Sequence, residues 1–500
     1  MNPFKKLASQ TAIYGLPTII GRLLNYFLVP LYTYNFSTSE YGTVNEMYAY
    51  VSFLLIVLTY GMETALFNFS RLHEDPADGG AGKQKVYSTI LTCVTLTSAV
   101  FIAGLTIFSQ PIANTIRYPN HPEYVTWFAL ILGLDAVSSI AFAKLREQNK
   151  AKKFALIKTL NIGVNIFFNV FFLWICKSEF DAGKNSSLAG FYNPQIGIGY
   201  IFISNLIASV VTLLVLLPSI LKAKFVLDKS MLKNILPYAL PLLVAGLAGM
   251  TNETMDRILL KYLLPADVAL EQVGIYGACY KISIIMTMFV QTFRFAAEPF
   301  FFSHAKEKDS KQVYARVMDY FVIICMIIFL GTMMNISWIQ YFVGRDFRSG
   351  LNVVPILLMA NFCLGVFFNL SIWYKLTGQT KWGAYLTIFG AVITLMGNFV
   401  FIPLYGYMAS AWATLICYAG MMVLSYFIGN KHYPVNYNLK RTLGYLSLAL
   451  LLFALSNYLE IKSDALDIAA KNFLLVLFVI IVFIFERKNL FGKKSESQSH

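Results

Sequence analysis

Long apolar runs alternate with short polar segments along the whole chain, and fourteen of the runs are long enough to cross a bilayer as helices. Such a helix needs ~20 mostly apolar residues. The expected spans are 11–33, 44–69, 86–109, 122–143, 155–176, 196–221, 234–262, 275–303, 313–339, 351–374, 382–403, 407–429, 440–459 and 468–485. A membrane barrel would instead show ~10-residue alternating strands, so helices are the expected spanning elements. Composition agrees: of 500 residues 57% are hydrophobic and 13% charged, against ~25% charged in an ordinary globular chain. The expected fold class is an all-α polytopic membrane protein.

Charge placement orients the spans. With the N-terminus inside, the inner segments carry 27 Lys and Arg and the outer segments 8. By the positive-inside rule both termini are then cytoplasmic. A missed span would scramble that alternation. The net charge of +14 thus reads as inner loops facing anionic lipid heads, and no nucleic-acid partner is expected. The first run carries Arg22 and lacks a small-residue cleavage site, so it is expected to stay as a first helix. The longest outer loop runs from about Lys177 to Gln195, too short for a separate domain or an extramembrane active site. The six cysteines and five histidines show no metal-ligand spacing, so no metal, cofactor or catalytic residue is expected. The polar tail after Arg487 is expected to be disordered.

The chain also repeats itself. Tyr14-Gly-Leu-Pro17 matches Tyr238-Ala-Leu-Pro241, and Tyr41-Gly42 matches Tyr276-Gly277. Glu63 matches Glu298, Lys144-Leu145 matches Lys375-Leu376, and Gly199-Tyr200 matches Gly406-Tyr407, all in the same order. Six helices per unit, an even number, make the two units parallel, related by a pseudo-two-fold axis along the membrane normal. The expected organisation is an N-lobe at 1–225, a C-lobe at 226–432, two extra helices at 433–486 and a tail at 487–500.

Polar side chains inside the spans are the candidate chemistry, because charge at that depth is costly. Arg22 lies near the middle of the first span and shares a helix face with Thr18, Asn25 and Tyr26. In the eighth span Tyr280, Thr287, Gln291, Arg294 and Glu298 form a second stripe, with Lys281 rotated off it. Lys158, Asn161, Asn165 and Asn169 form a third. Thr59 and Glu63 share a face at the end of the second span, and Asp135 and Asp319 are further candidates. Two readings stay open for the arginines: contact with substrate, or buried ion pairs with Glu63 and Glu298. The asparagines either line a cavity or bond between packed helices. Lys158 and Asp319 are shallow enough to snorkel. Asp256 and Arg257 are gating or structural candidates, with Glu253 and Arg257 an i, i+4 pair. Glu63 and Glu298 are candidates to answer a proton or Na⁺ gradient. A cavity lined by amides and hydroxyls with excess arginine suits an anionic, amphiphilic cargo with a phosphate and a glycan part.

Several motifs carry a family resemblance that spans nearly the whole chain. They are Lys5-Lys6-Leu-Ala-Ser-Gln-Thr-Ala-Ile-Tyr-Gly-Leu-Pro17, Ser39-Glu-Tyr-Gly42, Asp256-Arg257-Ile-Leu-Leu260, Gly274-Ile-Tyr276 and Gly378-Gln-Thr-Lys381. With the fourteen-helix layout, the chain resembles the multidrug/oligosaccharidyl-lipid/polysaccharide (MOP) exporter superfamily, and within it the Wzx-type polysaccharide flippases. The resemblance implies two six-helix lobes and a cationic central cavity. It further implies flipping of an undecaprenyl-diphosphate-linked oligosaccharide, such as an O-antigen or lipopolysaccharide repeat unit, across the bacterial inner membrane. Glycosyltransferases and a glycan polymerase are the implied partners. The rivals are a lipid II-type flippase, a multidrug exporter of the same superfamily, and a membrane glycan polymerase or ligase.

Overall fold

The structure, a computed structural model, describes residues 21, 23–73, 80–183, 186–305, 307–459 and 463–491. Helices make up its ordered elements, and no strand occurs among the described residues. Residues 11–20 and 22 of the first expected span lie outside them, Thr18 and Arg22 included; its described part leads into α1 (Leu28–Asn35). Among the described residues, thirteen helices have the length and apolarity of a membrane span. They are α2 (Thr38–Leu72), α3 (Ala81–Ile107), α4 (Pro122–Glu147), α5 (Ala151–Asp181), α6 (Gly199–Ile220), α7 (Lys229–Leu263) and α8 (Ala266–His304). The others are α9 (Ser310–Met334), α10 (Val353–Leu376), α11 (Lys381–Tyr405), α12 (Tyr407–His432), α13 (Leu439–Asn457) and α14 (Ala465–Arg487). Each covers one of the expected spans.

The chain divides into two compact units, residues 1–278 with 387–413 and residues 279–386 with 414–500. These limits differ from the lobe limits drawn from the repeat. In the first unit Leu66, Ile90, Leu91, Ile140, Leu216 and Ile235 share one buried core, so α7 packs with α2, α3, α4 and α6. Asp228 caps α7 through the Met231 N–H at 3.0 Å and pairs with Lys85 at 2.6 Å. These two partners, Lys85 first, hold its carboxyl below the usual carboxylate range.

Two family motifs meet in this unit for steric reasons. Ser37 and Glu40 form a reciprocal capping box that starts α2. One turn on, a Cβ at Gly42 would strike the Leu270 carbonyl, and a Cβ at Gly274 would strike the Thr38 carbonyl. Gly277 likewise lies against the Asn45 amide. Glycine is therefore required for α2 and α8 to cross backbone to backbone, the small-residue device of membrane helices.

In the second unit Phe301, Tyr314, Ile372 and Val435 pack together. Arg441 of α13 pairs with Asp319 of α9 at 3.4 Å and also with Glu486 of α14, which accepts from Tyr445 at 2.5 Å. Asp319 and Glu486 are buried. Asp319 therefore does not snorkel; it anchors the two helices outside the repeat.

Candidate functional site

The second unit holds a small cavity beside the later turns of α8 and α10. Its polar wall is Arg294, Glu298, Lys375, Asn369 and Ser371, and its apolar wall includes Phe293, Phe301, Phe368 and Ile372. Lys375 Nζ lies 2.7 Å from Glu298 Oε1, and Arg294 Nε 3.9 Å from Oε2. The Arg294 guanidinium sits over the Phe368 ring, 4.5 Å from its centroid. Helical periodicity puts Arg294 and Glu298 on one stripe, one turn apart, and Gln291 lies half-buried a turn before them. Pro299 interrupts the helical hydrogen-bond ladder immediately after Glu298. Arg294 stays 48% exposed along its side chain, so it keeps donors for a ligand. The site holds two cations against one carboxylate. Lys375 was legible as an inner-loop charge and as the repeat match of Lys144; its ion pair across α8 and α10 needed the packing.

In the first unit Glu63 lies in the first turn of a second helical segment, Met62–Leu72. Tyr60 (φ 28°) and Gly61 (φ 76°) break α2 between them. Thr59, which bonds the Leu55 carbonyl, is thus not on a continuous face with Glu63, a correction to the sequence expectation. A Cβ at Gly61 would lie 2.6 Å from the Ala239 carbonyl, so glycine is needed here for both φ and space. Arg146 and Lys158 are the cationic neighbours of Glu63, and Asp135 is a second acidic neighbour of Lys158. Lys158 also lies 4.4 Å from the Phe142 ring centroid. Lys144, the repeat counterpart of Lys375, pairs instead with Glu147 at 3.0 Å. The two matched glutamates therefore have different partners.

The asparagine stripe binds helix to helix. Asn161 donates to Thr212 at 2.8 Å, Asn169 accepts from Tyr32 at 2.9 Å, and Asn165 donates to the exposed Asn25 at 3.3 Å. Tyr26 is half-buried beside Phe27. A π-helical turn, Phe171–Cys176, follows Asn169 and precedes Lys177, which bonds the Asn35 side chain at 3.0 Å. Asp256 accepts from Tyr276 at 2.6 Å and pairs with Arg257 at 3.2 Å. Arg257 also donates to the Glu253 carbonyl at 2.7 Å. Both are buried, and they join two of the family motifs within one contact.

Sequence reasoning missed a deeply buried ion pair of this unit. Lys261 Nζ lies 2.7 Å from Glu46 Oε2, at 2% and 0% exposure. Glu46 also accepts from Tyr118 and from Tyr50, the latter at 2.7 Å. Lys261 donates to the Ile116 carbonyl and sits 3.6 Å from the Tyr118 ring centroid. Arg117, at φ 61°, donates to the Lys261 carbonyl and stacks over Tyr262. Lys261 falls four residues after Arg257, which was the available signal; at a span end it reads as a loop charge.

No curated protein matches the sequence. The fold is similar to that of the lipid II flippase MurJ in an inward closed conformation, with TM-score 0.73 and 13% identity, covering 95% of this chain and 99% of that one. It is also similar to an outward-facing multidrug-resistance MATE transporter of the MOP superfamily (TM-score 0.58, 13% identity, 86% and 98% covered). The Vibrio cholerae MATE transporter VcmN in its bent form gives TM-score 0.55 at 13% identity, with 86% and 98% covered. The family model described as polysaccharide biosynthesis protein matches residues 7–304. With that match over more than half its length, the chain belongs to the polysaccharide biosynthesis protein family.

Proposed function

We propose that this multi-pass membrane protein is a flippase for an undecaprenyl-diphosphate-linked oligosaccharide. It moves an O-antigen or other surface-polysaccharide repeat unit from the cytoplasmic to the outer leaflet of the bacterial inner membrane, by alternating access. Both termini are cytoplasmic on this reading, and glycosyltransferases and a glycan polymerase act before and after it. The observation that carries the reading is the cavity where Arg294 and Lys375 face a single carboxylate. A diphosphate competes with Glu298 for both cations, and the guanidinium fork matches phosphate geometry. The phenylalanine wall accommodates the apolar part of the same cargo. Export of cationic drugs is disfavoured by the excess of positive charge, and the work is transport rather than covalent chemistry.

A lipid II-type cargo is the second reading, favoured by the fold likeness to a lipid II flippase along 95% of this chain. Lipids extracted from a deletion strain separate the two. Accumulation of a repeat-unit oligosaccharide diphosphate in the cytoplasmic leaflet is expected. A peptide-bearing disaccharide supports the second reading, and accumulation of neither sinks both.

Energy coupling through Glu63 belongs to the same proposal. It follows from a carboxylate at a helix break with Arg146 and Lys158 beside it, the kind of discontinuous helix on which transporters build ion sites. Glu63→Gln is expected to slow export several-fold under an imposed proton or Na⁺ gradient. Unchanged export under both gradients removes Glu63 from coupling.

A further inference from the structure

We propose that Asp135 of α4 is a second proton-binding carboxylate of the transport cycle, and that the Lys158 ammonium links it to Glu63. This rests on the coupling reading of Glu63 and adds to it the ion, a second group and the connection between the two.

Asp135, Ser139, Phe142 and Arg146 stand at i, i+4, i+7 and i+11, one stripe of α4. In the positive-inside orientation α4 runs from outside to inside, so the stripe descends about 16 Å, from mid-membrane to the inner end. Asp135 has Lys158 of α5 and Ser209 of α6 beside it. Ser139 and Arg146 neighbour Glu63 of α2. Lys158 lies over the Phe142 ring, 4.4 Å from its centroid, with both Asp135 and Glu63 as acidic neighbours. Along the stripe the ammonium therefore stands between the two carboxylates, on an apolar seat.

Three observations separate this cluster from a structural ion pair. Among the described residues, no direct ion pair closes between Lys158 and either carboxylate. Glu46 with Lys261, and Asp319 and Glu486 with Arg441, are closed pairs. Next, the Ser209 hydroxyl beside Asp135 and the Ser138 hydroxyl one turn on are 1% and 3% exposed, with no hydrogen-bond partner among the described residues. A hydroxyl donates to a carboxylate and accepts from a carboxylic acid, so it serves both charge states, whereas an arginine can only donate. Last, few other charges reach the cluster. α3 has none between Lys85 and Arg117, α6 has none, and α7 has none between Lys233 and Glu253. The titratable groups of α3 are engaged, Tyr87 under Lys144 and Cys93 with the Tyr60 hydroxyl. Asn205 of α6 donates to Tyr48 of α2 at 3.0 Å, and Asp135 is an acidic neighbour of that tyrosine.

The chemistry is one O–H bond made and broken. Water on the open side gives a proton to Asp135, which becomes neutral. Lys158 keeps its three protons, and its ammonium turns on a flexible four-carbon stem toward Glu63. When the proton leaves Asp135 for water, the ammonium returns. Lys158 already supplies the cation between the carboxylates, so Na⁺ would have to displace it; a proton changes their balance without needing that room.

The test is pH-difference infrared spectroscopy of the full chain in nanodiscs. It reads the C=O stretch of protonated carboxylic acids and needs no cargo. Wild type is expected to show a carboxyl band that appears on acidification and is absent in Asp135→Asn. The proton affinity read from the Glu63 band, identified by its loss in Glu63→Gln, should change several-fold in Asp135→Asn and in Lys158→Met. Ser209→Ala removes only a buried hydroxyl and should displace the Asp135 band, which keeps the test open if a charge variant fails to fold. A spectrum unchanged by Asp135→Asn, or a Glu63 band indifferent to both charge variants, overturns the proposal. Export is scored alongside as surface polysaccharide in a complemented deletion strain over a series of external pH values, with an uncoupler as the zero. Asp135→Asn should export several-fold less, and Asp135→Asn with Lys158→Met, which removes both charges, should not recover. Recovery identifies a structural ion pair and overturns the proposal. If Glu63→Gln abolishes the response to the gradient and Asp135→Asn keeps it, the inference falls and the coupling reading stands; if neither variant alters the response, both fall.

Discussion

Lys261→Ala is expected to destabilise the protein by about 3–5 kcal/mol, the cost of stranding one partner of a buried ion pair. Glu46 would keep its Tyr50 and Tyr118 donors but lose the Lys261 ammonium at 2.7 Å, with no exposed surface to recruit water. Desolvation of the remaining carboxylate then dominates, because the medium around it is apolar. The change also releases the Ile116 carbonyl and empties the space over the Tyr118 ring. Thermal unfolding in detergent reads the loss. The paired change Glu46→Gln with Lys261→Met removes both charges and should recover most of the stability, since apolar replacement of a buried pair is often neutral. A melting temperature for Lys261→Ala equal to wild type rules out a structural role for the pair. A double variant as unstable as the single one shows that packing, not charge, sets the cost.

Arg294→Ala is expected to lower glycan export by about 10- to 100-fold, with insertion and folding intact. A hydrogen bond to a charged group contributes about 1.5–3 kcal/mol, and each 1.4 kcal/mol is tenfold. Folding should survive because the side chain is 48% exposed and its pair with Glu298 is long, at 3.9 Å; exposed pairs of this kind contribute ~0–1 kcal/mol. Arg294→Lys keeps the charge and loses the fork, so it should fall between the two. Export is measured as surface polysaccharide in a complemented deletion strain, with protein level as the control. Wild-type export in Arg294→Ala removes this residue from the cargo path.

The same two clusters show what a pattern along the chain can and cannot carry. Spacing places Arg294 and Glu298 on one stripe because an α-helix repeats every 3.6 residues. It could not name Lys375, whose approach to Glu298 depends on how α10 packs against α8. The asparagines of α5 were visible as a stripe; their partners Thr212, Tyr32 and Asn25 come from other helices. Motifs quoted for the family became a joint: Gly42 against Leu270, Gly274 against Thr38, and Tyr276 on Asp256. Glu46 was passed over because a lone glutamate at the start of an apolar run looks like a solvated helix end. The break at Tyr60–Gly61 was likewise hidden, since one glycine in a long apolar run does not announce a left-handed turn.

The amino-acid sequence by itself determined the all-helical class and the positions of the spans. Both follow from the bilayer, which demands ~20 apolar residues per crossing and internally satisfied backbone groups. It also determined which side chains are expensive to bury. Only the tertiary structure decided which of them neutralise one another. Coulomb and hydrogen-bond energies fall off within a few ångströms, and residues 215 positions apart, such as Glu46 and Lys261, come that close only when the helices pack.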